Sequence, residues 1–112
     1  MEMTPDLAAR QLLMSAYLYY RRDAPVLSDA DNDWLSMYVV GNWDKIPERY
    51  KPLLLSNEKD YTVLLTTTSH CRYTRQVEGG ALAWLNVKKK GKKLERLGYG
   101  YYEAPNDISD LI

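Results

Sequence analysis

Phenylalanine is missing altogether, cysteine and histidine occur once each, and opposite charges cancel to a formal net charge of zero over 112 residues. The single cysteine, Cys71, excludes an internal disulfide and any cysteine-based zinc cluster. Zero net charge removes the bulk electrostatic attraction that would draw the chain to nucleic acid or to a membrane surface. No apolar run approaches the ~18 residues needed to span a bilayer. Glu2 and Asp6 bracket the N-terminus, where a signal peptide would carry basic and then apolar residues. The expectation is a cytoplasmic protein with no membrane partner.

What is present is globular in balance: 46% hydrophobic and 27% charged residues. The aromatic set consists of ten Tyr and three Trp, side chains with an apolar body and a polar handle that suit half-buried and interface positions. Charge is unevenly spread, with residues 1–57 net acidic and residues 58–112 net basic. Those ranges also divide the chain by pattern, and the two units are expected to share one core.

Residues 1–57 read as a helical unit of two to three helices. Thr4 suits an N-cap, Pro5 the first helical position and Asp6 the positive end of the helix dipole. Leu13, Tyr17 and Tyr20 recur at helical spacing. The first helix should stop near Arg21 or Arg22, because Ala24 precedes Pro25. A second helix should start at Ser28, with Asp31 three residues on, and end at Gly41. A third, short helix is expected between Pro47 and Pro52.

Residues 58–112 read as a small antiparallel β unit, which makes the expected fold class α+β. The run Tyr61 to Thr68 is rich in β-branched residues and reads as a strand. Gly79-Gly80 signals a turn, Ala81 to Val87 a second strand, and the lysine-rich stretch 88–93 a hairpin tip returning through Leu94 to Tyr102. A helix from Ala81 to Leu97 is the alternative, weakened by Gly91, Gly98 and Gly100. The tail from Pro105 reads as loose.

The first loop carries the most specific signal: Tyr19-Tyr20-Arg21-Arg22-Asp23-Ala24-Pro25, then Ser28-Asp29-Ala30-Asp31-Asn32-Asp33-Trp34-Leu35. Over residues ~13–40 this resembles domain Ia of bacterial NAD-dependent DNA ligases, where an aromatic pair, an Asp-Ala-Pro turn and an acidic helix start keep the same spacing. The agreement covers about a fifth of the chain. In that family the domain holds the nicotinamide mononucleotide (NMN) half of NAD. The resemblance therefore implies Tyr19 and Tyr20 as the aromatic pair, Asp29 and Asp33 as acidic contacts, and NMN or NAD as the cofactor. A cationic ring favours an aromatic face, and carboxylates accept hydrogen bonds from ribose hydroxyls. Asn32 departs from the pattern, standing where the family has a tyrosine and removing one stacking ring. The family's Lys-x-Asp-Gly adenylation motif is also missing, so no ligation or other catalysis is expected.

Two further features bear on function. His70-Cys71 is the lone Cys/His pairing, and neighbours on a strand would face opposite ways, away from nucleophilic use. Lys88, Lys89, Lys90, Lys92, Lys93 and Arg96, flanked by Trp84, make a basic patch suited to phosphate contact and base stacking, hence to nucleic acid. The leading expectation is a non-catalytic accessory protein, of the stand-alone ligase-related kind expected in phage or mobile elements, that binds a host protein such as a ligase or defence factor. A weak NMN or NAD binder and a nucleic-acid module are the alternatives.

Overall fold

The computed structural model describes residues 3–89, 96–97 and 101–102. The described chain is helical: α1 (Pro5–Arg21), α2 (Asp29–Gly41), α3 (Lys51–Leu55) and α4 (Arg75–Lys89), with short 3-10 helices at Trp43–Lys45 and Tyr61–Leu65. Among the described residues no helix is long and apolar enough to cross a membrane.

α1 begins where its local chemistry directs. The Thr4 hydroxyl accepts from the Leu7 amide at 3.2 Å, Pro5 occupies the first turn, and Asp6 adds negative charge at the positive end. Beyond its end at Arg21 the chain turns away at Asp23, which takes a positive φ of 50° while the Ala24 amide bonds back to the Leu18 carbonyl. Aspartate tolerates this left-handed geometry better than most residues. Ser28 then caps α2 by accepting from the Asp31 amide at 3.1 Å.

α1 is the axis of the molecule. Ala8, Ala9, Leu12, Leu13, Met14 and Leu18 are all buried, so the helix is covered on most of its circumference rather than along one stripe. It packs against α2, α3 and α4. One apolar cluster joins its residues to Leu35 and Val39 of α2, Leu54 of α3, Leu64, Cys71, and Val77, Ala81 and Trp84 of α4.

The α+β fold with a small antiparallel sheet is overturned. The expected strand at 61–68 is instead a turn of 3-10 helix followed by irregular chain. β-branched residues favour strands only where a pleated neighbour covers them. Here Asp60 accepts from both the amide and the hydroxyl of Thr62, at 3.0 and 2.8 Å, and so starts a helical turn. Those two bonds also hold the exposed Asp60 carboxyl below its usual pKa. The expected turn at Gly79-Gly80 and strand at Ala81 to Val87 both lie inside α4. Thr74 caps that helix through the Val77 amide at 3.2 Å, and Val77, Ala81 and Trp84, spaced four and three apart, are buried on one face. The extended pairing among the described residues is a two-residue ladder of Arg96–Leu97 with Tyr101–Tyr102, far too small to form a layer. The short helix expected between Pro47 and Pro52 is displaced to Lys51–Leu55, with Pro52 in its first turn. The tail from Pro105 lies outside the described residues.

Segment 70–72 is fastened to the end of α3. His70 Nε2 lies 2.9 Å from the Leu54 carbonyl, the Cys71 thiol donates to the same oxygen at 3.3 Å, and the Arg72 amide donates to the Leu53 carbonyl at 2.8 Å. A carbonyl can only accept, so His70 carries its proton on Nε2 in this arrangement. The expectation that His70 and Cys71 face opposite ways fails because they sit in a turn, where both reach one acceptor. Burial pushes the Cys71 thiol up to about 12, far from a reactive thiolate.

Candidate functional site

A cavity of about 170 Å³ opens where α1 ends, α2 begins and the chain leaves the 3-10 helix at Leu65. Tyr19 and Tyr20 from α1, Asp29, Asn32 and Asp33 from α2, and Leu65 to Thr68 line it. All four residues nominated by the ligase resemblance, Tyr19, Tyr20, Asp29 and Asp33, thus share one wall system.

Each side chain reaches the cavity for a local reason. Tyr19 and Tyr20 sit in the last turn of α1, where core packing has ended, and are 53% and 43% exposed. Their rings meet edge to face, with centroids 4.8 Å apart. Asp29 and Asp33 are one helical turn apart on the exposed side of α2. Asp31, between them, is buried instead. Asn32 is tied to α1, its Oδ1 accepting from the Ser15 hydroxyl at 2.8 Å, which leaves the amide NH2 as the group it can offer a ligand.

The third wall is the hydroxyl run Thr66-Thr67-Thr68. Buried Leu64 anchors it, and the amides of Thr66 and Thr67 both bond the Val63 carbonyl. Thr67 accepts from the Ser69 amide at 3.1 Å and donates to the Ser69 hydroxyl at 3.0 Å. Its oxygen also lies 3.5 Å from the Tyr20 hydroxyl, bridging the end of α1 to this segment. In the sequence this run reads only as the end of a strand, because nothing local signals which helix a post-turn segment will face.

Among the described residues the lining combines two carboxylates, serine and threonine hydroxyls, an amide and two tyrosine rings, with no Lys, Arg or His. Such a set suits a polyhydroxylated, neutral or cationic ligand with a flat ring. Among the described residues no group of three His, Cys, Asp or Glu is placed to hold a metal ion.

A second cavity, of about 310 Å³, lies at Arg10, Arg49, Tyr50, Leu53, Thr74, Gln76 and Val77. Its cations are already engaged: Asp6 contacts Arg10 at 3.4 Å and Arg49 at 3.0 Å, and Arg49 lies over the Tyr50 ring at 4.6 Å. The smaller cavity is the better candidate because its charged groups, Asp29 and Asp33, are in no ion pair among the described residues.

The basic-patch residues fare differently. Trp84 is 0% exposed, at the centre of the core, and cannot stack on a base. Its position in α4, seven residues after Val77, puts it on the inward stripe. Lys88 and Lys89 fall in the last turn of α4 and Arg96 in the short ladder; Lys90, Lys92 and Lys93 lie outside the described residues. Comparison of the chain with protein-family models, curated proteins and solved structures gives no match.

Proposed function

We propose that the chain is a non-catalytic binding protein, descended from a ligase domain Ia, whose cavity between α1, α2 and residues 64–68 receives the nicotinamide–ribose portion of NMN or NAD. The carrying observation is the convergence of Tyr19, Tyr20, Asp29 and Asp33 on that one cavity. A tyrosine ring can lie against the pyridinium, and the carboxylates of Asp29 and Asp33 complement both its charge and the ribose hydroxyls. The cavity is smaller than the ~300 Å³ at which drug-sized pockets begin. Its volume therefore suits part of a dinucleotide, and without a tethered site for the AMP half the affinity should be weak.

Calorimetric titration of the full chain with NMN tests the reading. Saturable binding in the micromolar to millimolar range is expected, weakened at least about tenfold in Asp29→Ala/Asp33→Ala. Absence of heat at millimolar concentration with both NMN and its riboside would sink it. Both aspartates are exposed, so the variants should stay folded.

A second reading, an accessory role through a host protein, draws support from exposed apolar side chains near the cavity. Met37 on α2 is 63% exposed and Leu65 is 51% exposed. Large apolar residues in such positions favour partner docking. Capture of one specific protein from bacterial lysate, lost with Met37→Asp/Leu65→Asp, is the expected outcome; capture unaffected by the pair would reject this surface.

A further inference from the structure

We propose that the cavity selects a ribonucleoside carrying a cationic ring over the 5′-phosphate of the same nucleoside, with Thr67 and Asn32 reading the sugar hydroxyls. The inference rests on the pyridinium–ribose reading above and narrows it to a ligand class.

Charge is the first argument. Asp29 and Asp33 are the charged side chains lining the cavity, and both are acidic. A phosphate monoester bears about −1.5 to −2 at neutral pH. It would enter with two like charges nearby and, among the described residues, no Lys or Arg at the wall to receive it. The sequence does supply cations beside Tyr20, but they are not used here. Arg21 lies over the Tyr73 ring, 5.4 Å from its centroid, and neither Arg21 nor Arg22 lines the cavity. A ring bearing positive charge meets the opposite situation, because both carboxylates and the tyrosine faces attract it.

Size is the second. About 170 Å³ is roughly half the lower end of ordinary ligand pockets, space for a ring and part of a sugar, so a 5′-phosphate would project beyond the cavity and gain no contact within it.

Hydrogen-bond complementarity is the third. A vicinal diol both donates and accepts, so it is best met by groups of both kinds. Asp29 and Asp33 accept, Asn32 donates through the NH2 that its bond to Ser15 turns away from Ser15, and the Thr67 hydroxyl, whose proton goes to Ser69, accepts. The long 3.5 Å approach of Tyr20 to Thr67 is the weakest bond in the wall and the one a sugar hydroxyl would most easily replace.

Calorimetry on the full chain with nicotinamide riboside, NMN and nicotinamide as probes tests the proposal. The riboside should bind at least about tenfold more tightly than NMN at low salt, and the ratio should shrink as salt screens the carboxylates. Asp33→Asn should narrow the ratio as well, by improving NMN relative to riboside. Thr67→Val should weaken riboside several-fold while leaving nicotinamide alone almost unchanged. Equal or tighter binding of NMN would overturn the selectivity and leave the pyridinium–ribose reading standing. A ratio unmoved by both salt and Asp33→Asn would overturn its electrostatic basis. Failure of both nucleoside and nucleotide to bind at millimolar concentration would overturn the proposal together with the reading beneath it.

Discussion

Cys71 and Tyr73 couple the core to alkaline pH. Burial pushes the Cys71 thiol from its ordinary 9.0 up to about 12, and the Tyr73 hydroxyl from 10.0 up to about 12, again chiefly by burial. Both groups hold their protons more firmly folded than unfolded. Their contribution to stability is therefore complete below about pH 9 and is lost as pH rises from there towards 12. For Cys71 the loss is on the order of 4 kcal/mol at the top of that window; half-buried Tyr73 contributes less, because solvent screens it. Urea unfolding midpoints should fall steeply over this range in the native chain and more gently in Cys71→Ser. Serine keeps a donor for the Leu54 carbonyl but does not titrate. An unchanged alkaline slope in that variant would show that other groups drive the loss. Tyr73 adds a separate point, since its buried hydroxyl makes no hydrogen bond among the described residues while its ring meets Tyr17 edge to face at 5.3 Å. Its ring is thus the part that packs, and its hydroxyl carries an uncompensated desolvation cost.

At the scale of elements, caps decided what could be read ahead of the structure. Ser56, which ends α3, holds φ 55° and ψ −112°. A Cβ is unfavourable at such positive φ, whereas glycine accepts it without steric cost. Ser56→Gly should therefore stabilise the fold by about 1 kcal/mol, while Thr4→Ala should destabilise it by a similar amount through loss of the α1 cap. Thermal unfolding of the two variants should move in opposite directions, and a fall in both would show that the Ser56 geometry is relaxed by its surroundings. The limits of α1 and α2 were legible because Thr4, Pro5, Ser28 and Gly41 act locally, within one turn. Residues 61–68 and 75–89 were not. The strand preference of Tyr61 to Thr68 yielded to a side-chain cap at Asp60 and to burial of Leu64 against α2. In α4 the local weight of Gly79-Gly80 yielded to burial of Val77, Ala81 and Trp84 together. Propensity is a surface-level preference, and a full inward stripe outweighs it.

Across the whole molecule, the candidate site was half legible. Tyr19, Tyr20, Asp29 and Asp33 were reachable through a spaced pattern in continuous chain. Thr66 to Thr68 were not, because their place depends on how a segment about thirty residues further on returns to α1 and α2. Trp84 was misread for the converse reason: a tryptophan near lysines looks available until the helix phase turns it inward. The stitching of residues 70–72 onto Leu53 and Leu54 has a consequence for the order of assembly. A five-residue helix is far below the ~12 residues at which isolated helices become even marginal. The Leu55 carbonyl is met locally by the Glu58 amide, but those of Leu53 and Leu54 are met from His70, Cys71 and Arg72. Helix α3 is thus a product of loop closure, completed only when the chain has returned through Arg72. The hairpin of α1 and α2, whose contacts are nearer in sequence, can form before it.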